Sequence, residues 1–172
     1  GGGKFAFASF LFQHNLKVGL LAIASGVLAT VPTILLMVYN GMVLGAFFAI
    51  HYQAGITAEV WAWILPHGIT ELGAIVLCGG IGLMLGLAVV RPGQTSRADS
   101  LRQAGREAAR VCTGVAVMLF LAAIIESYLR QSHLSTEARF TFAGGSAVFW
   151  LLYFCNGLLL ERRAKAESVD DE

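Results

Sequence analysis

From Val18 to Val90 the chain carries two charged residues, Glu59 and Glu71, and not one Lys or Arg. A stretch of 73 residues built this way cannot form a water-facing surface, because a soluble domain devotes about a quarter of its residues to charge. Over all 172 residues the hydrophobic share is 56% and the charged share 13%. The sequence therefore reads as an integral membrane protein with the lipid bilayer as its first partner. A formal net charge of +1 supplies no basic face for a nucleic acid, and none is expected. Cys78, Cys112 and Cys155 are odd in number and lie in apolar runs. They read as small buried hydrophobes rather than a disulfide framework.

A spanning helix needs roughly 20 apolar residues. Leu16 to Val38 supplies a first, Pro66 or His67 to Val90 a second, Val111 to Leu129 a third and Thr141 to Leu160 a fourth. Asn40-Gly41 interrupts the apolar run after the first span, and Met42 to Tyr52 is too short to cross alone. It reads as a broken or re-entrant half-helix, which survives in lipid only where protein or water covers its loose backbone groups. The expected fold is all-α: a polytopic helical membrane bundle of about four crossings plus that half-helix.

Its parts are an interfacial segment over 1–15 with four Phe residues, the bundle over 16–160 and a charged tail over 161–172. The chain begins with Gly rather than Met, which reads as a fragment or a processed start. Positive residues face the cytoplasm. That rule puts the Arg-rich loop 91–110 inside, together with Lys4, Lys17, Arg162, Arg163 and Lys165, and the Gln53–Leu65 loop with Glu59, Trp61 and Trp63 outside. Asp99 or Ser100 is the expected cap of a short helix in the Arg-rich loop. On that helix Arg102, Arg106 and Arg110 stack along one face, toward lipid headgroups or an acidic cytoplasmic partner.

This topology brings Asn40, His67, Glu71 and Glu126 into one leaflet as a polar intramembrane cluster. An ionisable group in a span costs roughly 2.5–3.5 kcal/mol when central, so each needs an account. Glu126 can pair with Arg130 one turn on. His67 can bond a neighbouring backbone, Glu71 can face the positive end of its helix, and Asn40 can mark a helix break. His67, Glu71 and Glu126 could also supply the three ligands of a catalytic zinc, but the paired-His metalloprotease motif is absent and no cofactor is implied. Gly79-Gly-Ile-Gly82 lies deep in an apolar span, where it cannot cradle phosphate. Thr70, Ala74, Cys78, Gly82 and Gly86 form a small-residue stripe, and Gly41 and Gly45 repeat the pattern. Such stripes let helices approach closely in lipid, so the half-helix is expected to pack on the second span, within one chain or across a homodimer.

Asn40-Gly41-x-x-x-Gly45, Leu65-Pro66-His67-Gly68 with Glu71-Leu72, a Gly-rich span, an Arg-rich loop and Ala122-Ala-Ile-Ile-Glu126 follow one another in order. In these elements, over roughly Phe12 to Arg130, the chain resembles the stage II sporulation protein M family. One departure is Gln13-His14-Asn15, where the family has paired Asn before the first span. The resemblance implies a multi-pass protein of the bacterial inner membrane with no established enzymatic activity. In sporulating members it implies a complex with two peptidoglycan-degrading partners, the stage II sporulation proteins D and P. The leading functional expectation is a non-enzymatic scaffold that anchors cell-envelope partners such as peptidoglycan hydrolases. A small transporter or channel using Asn40, His67, Glu71 and Glu126 is the alternative, and an intramembrane metallohydrolase using His67, Glu71 and Glu126 is a third.

Overall fold

A computed structural model describes residues 2–28 and 30–170, with the side chains of 2–12, 130, 131, 165 and 168–170 outside that description. The aromatic side chains of the expected interfacial segment and the expected Arg130 partner of Glu126 thus lie outside the described residues. Five helices follow in order: α1 (Gly2–Gly26), α2 (Val31–Gln53), α3 (Thr57–Val90), α4 (Arg97–Gln131) and α5 (Thr136–Asp170). Four of them, α2 to α5, contain a segment long and apolar enough to cross a membrane. The all-helical fold with four such helices is as the apolar runs foretell, but the first of them is α2 rather than Leu16 to Val38, which is divided between α1 and α2.

The break in the first apolar stretch is not where Asn40-Gly41 suggested. Helix α2 runs unbroken through both residues, and the interruption falls at 27–30. Gly26 ends α1, Thr30 adopts φ 60°, and Pro32 opens α2. Gly past a helix end and Pro inside the next start are the ordinary terminators. The turn carries no charge because its polar groups are satisfied locally. Thr33, fully buried, donates its hydroxyl to the Ala22 carbonyl at 3.1 Å, and Ser25 and Thr33 hydroxyls meet at 3.0 Å. Met42 to Tyr52 is not a separate half-helix but the second half of α2, and Asn40 is accommodated within it by donating its amide to the Leu36 carbonyl one turn back, at 2.8 Å.

The expected loop over 53–65 is also mostly helix. Only Ala54 to Ile56 connect α2 to α3, and α3 starts at Thr57, nine residues before Pro66. Its 34 residues reach about 51 Å at 1.5 Å per residue, well beyond a hydrocarbon core of roughly 30 Å. Likewise the Arg-rich segment is no separate short helix. It forms the first four turns of α4, and its cap is Ser96, whose hydroxyl accepts from the Asp99 amide at 3.1 Å and donates to the Asp99 carboxylate at 2.6 Å. At the opposite end of α4, Arg139 reaches back from α5 and donates to the carbonyls of Leu129, Ser132 and Leu134 at 2.9, 3.1 and 3.3 Å.

Helix α3 is the axis of the bundle. Its residues from Ala62 to Ala88 are buried on most faces, and every other helix packs on it. One end of the axis carries Trp61 and Trp63, the other leads into Arg91. Helices α2 and α4 run antiparallel to α3, and α5 runs parallel, with Trp150 and Phe154 against the core of Ala22, Ala74, Cys78, Val115, Met118 and Leu119. Helix α1 also runs parallel to α3. Asn15 meets Glu71, Gly19 faces Cys78, and Gly26 lies against Gly82. Lys17 therefore stands near the level of Glu71, and the start of α1, with Lys4, points to the tryptophan end rather than joining the arginines. Large apolar side chains such as Leu35, Met42, Phe149 and Leu152 point outward on α2 and α5. In a bilayer that surface meets lipid tails as apolar as itself, so close packing rather than water expulsion holds the helices together.

A buried polar centre on the axial helix

The small-residue stripe of α3 is the floor on which this centre is built. A Cβ on Gly82 would collide with the Ala22 carbonyl oxygen, and one on Gly86 would collide with the backbone nitrogen of Thr30. The helix accommodated there is α1 with its turn. Gly41 and Gly45 pack on nothing: no atom stands within 4 Å of a Cβ built on either. Ala74, Cys78, Gly82 and Gly86 thus line one close helix contact, and the two α2 glycines lie outside it.

That contact delivers Asn15 to Glu71. One turn beyond Gly19, the Asn15 amide donates to Glu71 Oε2 at 2.6 Å. Glu71 is 3% exposed, and its other oxygen, Oε1, is buried with no hydrogen-bond partner among the described residues. Glu126 of α4 lies within electrostatic reach of it. His67, 4% exposed, sits one turn before Glu71 on α3 and meets the Trp63 ring edge-to-face at 6.3 Å. On the side facing α5, the Trp150 indole donates to the Thr70 hydroxyl at 2.9 Å, and the Ser146 hydroxyl stands 3.4 Å from the same oxygen. Polar groups of α1, α3 and α5 are therefore joined across helix contacts within about one turn of Glu71.

Of the four residues expected to cluster, three share this region. Asn40 does not contribute: its amide bonds within α2, to the Leu36 carbonyl, in the middle of that helix. Asn15, which was not among the expected cluster residues, supplies the bond to Glu71 instead. Its signal was present in the sequence as register. Asn15, Gly19, Ala22 and Gly26 repeat at helical spacing and match Glu71, Cys78 and Gly82 in parallel. Among the described residues no three His, Cys, Asp or Glu side chains converge for a metal ion, so the zinc reading lacks its ligand set. On the Arg-rich face Arg102 pairs with Asp99 at 3.5 Å and Arg110 with Glu107 at 3.0 Å, all exposed. Those are pairs within one helix and contribute little to stability.

Beyond the polar centre, α2 and α3 splay at the tryptophan end around a cavity of about 660 Å³, lined by Phe47, His51, Ile56, Glu59, Val60, Trp63 and Ile64. A smaller apolar cleft of about 120 Å³ opens between α1, α3 and α4 beside Asn15.

Spanning helices round a buried, cross-bonded polar centre define a multi-pass helical membrane protein. The profile of one family, stage II sporulation protein M, matches residues 1–130, more than half of the chain. The chain belongs to the stage II sporulation protein M family. No curated protein and no solved structure matches it.

Proposed function

We propose that this protein is a non-enzymatic scaffold of the bacterial inner membrane, a rigid bundle that anchors and positions peptidoglycan-remodelling partners. The observation that carries the reading is how α3 spends its buried polar groups. Asn15–Glu71 and Trp150–Thr70 are side-chain bonds from two different helices onto one axis, which is the chemistry of a bundle fixed in one arrangement. A scaffold needs that rigidity, since its contribution is to hold partners in register rather than to turn over. Eight of the cations, Arg91, Arg97, Arg102, Arg106, Arg110, Arg162, Arg163 and Lys165, belong to the arginine end. By the positive-inside rule that end is cytoplasmic, and the exposed Arg102, Arg106 and Arg110 face headgroups or an acidic partner there. The charged end of α5 from Glu161 onward lies on the same side, and the tryptophan end meets the envelope. The family resemblance makes extracytoplasmic peptidoglycan hydrolases the natural partners.

The test is depletion of the protein in its host, with tagged extracytoplasmic peptidoglycan hydrolases followed by microscopy and by affinity capture on the tagged chain. The expected result is recovery of one or more hydrolases with the chain and their mislocalisation on depletion. Hydrolases that keep their positions and never co-purify would overturn the scaffold reading.

A further inference from the structure

At the tryptophan end two helices carry an acid in their first turn, Glu59 in α3 and Glu137 in α5. Such an acid is ordinary, since it faces the positive end of the helix dipole. Glu59 also lines the cavity of about 660 Å³ between α2 and α3, together with Phe47, His51, Trp63 and the aliphatic Ile56, Val60 and Ile64. That volume is in the range of sites that hold a small molecule. The lining contains one carboxylate and no Lys or Arg. Beside the carboxylate stands His51, whose Nδ1 is 2.7 Å from the Phe47 carbonyl oxygen. A carbonyl only accepts, so Nδ1 carries the hydrogen, and Nε2 of the neutral ring is an acceptor. Ring contacts brace this wall: Phe47 meets His51 at 4.1 Å between centroids and Trp61 edge-on at 6.5 Å. Acceptors, a negative charge and aromatic rings together form the surroundings that receive an ammonium group.

The depth of the cavity identifies the source of that ammonium. On α4 the charged stretch ends at Arg110, and Ala108 packs with Ile81 and Leu85 of α3. The hydrocarbon edge at the arginine end therefore crosses α3 near Ile81. Trp61 is twenty residues earlier, about 30 Å along the axis at 1.5 Å per residue, which is the thickness of the hydrocarbon core. Glu59 and Trp63 straddle the opposite edge, in the layer where aromatic side chains gather and phospholipid heads lie. One turn before Phe47 on α2, Val43 and Leu44 are exposed, which in a bilayer sets acyl chains against the same helix.

We propose that the cavity between α2 and α3 binds the head of a phospholipid ending in a primary amine, as phosphatidylethanolamine does. Glu59 and His51 accept from its ammonium, and Phe47 and Trp63 wall it. A primary ammonium brings three donors to these acceptors. A quaternary choline head brings none, and the anionic head of phosphatidylglycerol is repelled by Glu59. The site goes beyond scaffolding and does not depend on it.

The experiment is native mass spectrometry of the full chain released from nanodiscs of phosphatidylethanolamine, phosphatidylcholine and phosphatidylglycerol in equal parts. The expected result is a single retained phosphatidylethanolamine, enriched about tenfold over the other two lipids, as a charge-assisted hydrogen bond with a cation–π contact would give. Glu59 is exposed, so Glu59→Gln should fold as the wild type does and lose the enrichment. Glu137→Gln, the first-turn acid without a cavity, should keep it. Glu59→Lys should turn the preference to phosphatidylglycerol. A photoreactive phosphatidylethanolamine, crosslinked to the wild-type chain and mapped by mass spectrometry, should mark residues 43–64. Equal retention of the three lipids, enrichment that survives Glu59→Gln, or crosslinks confined to other segments overturns the site. Phosphatidylcholine retained as well as phosphatidylethanolamine overturns the primary amine. A cavity indifferent to all three lipids that crosslinks through Glu59 to a lysine of a co-purified envelope protein overturns the lipid as its occupant.

Discussion

Replacing Gly82 with Ala tests the packing argument at its tightest point. The new Cβ would overlap the Ala22 carbonyl oxygen and stand 2.8 and 2.9 Å from Cγ2 and Oγ1 of Thr33. Neither neighbour is the free end of a flexible side chain: one is backbone, and Thr33 is fully buried. Helix α1 must therefore retreat from α3 by roughly an ångström. Overpacking of this kind costs about 1–3 kcal/mol. Retreat also stretches the Thr33–Ala22 bond of 3.1 Å, and an interhelical side-chain bond in a membrane contributes about 0.6 kcal/mol. The expected loss is about 2–4 kcal/mol, with a lengthened α1–α3 distance. Gly80→Ala is the control, since a Cβ there meets nothing within 4 Å. Equilibrium unfolding in bicelles reads the stability, and paired spin labels on α1 and α3 read the distance. Gly82→Ala that unfolds with Gly80→Ala and keeps the wild-type distance would refute the close seam.

Other outcomes follow from single contacts. Asn15→Leu removes the donor to Glu71 and should destabilise the bundle by about 1–3 kcal/mol, whereas His14→Leu on the exposed side of α1 should lose less than half as much in the same assay. Trp150→Phe keeps the ring and deletes the N–H to Thr70, for a loss of about 0.6–1.7 kcal/mol. Arg139→Met removes the guanidinium donated to the carbonyls of Leu129, Ser132 and Leu134 and should speed proteolysis between α4 and α5 without altering cleavage elsewhere.

The long apolar runs were legible because lipid leaves the backbone few choices: a segment of some 20 apolar residues must be helical. Helix boundaries were much less so. Asn40 looked like a break because polar residues often mark one, but its amide folds back onto Leu36 and leaves α2 intact. The true break lies among Val27, Leu28 and Thr30, which read as uninterrupted span because Ser25 and Thr33 satisfy the turn from inside the fold. Only Gly26 and Pro32 betray it. The polar centre was half legible. Glu71 and His67 stand out as ionisable residues in apolar sequence, while the partner of Glu71 is 56 residues away. It is recoverable only by sliding the small-residue register of one helix along the other.

The same register decides the direction of α1, and here chain topology can be tested directly. Counting Lys4 and Lys17 with the arginines requires α1 to rise from the arginine end. Instead residues 15, 19 and 26 meet 71, 78 and 82 in ascending order, which only parallel helices can do. A cysteine replacing Lys4, in a chain whose three native cysteines are alanine, should react with a membrane-impermeant maleimide from the same side as one replacing Leu134. One replacing Ser100 should react only from the other side. If Lys4→Cys labels with Ser100→Cys, α1 is antiparallel to α3, Asn15 cannot reach Glu71, and the polar centre must be assembled differently. If it labels with Leu134→Cys, the Asn15–Glu71 bond has the topology it needs.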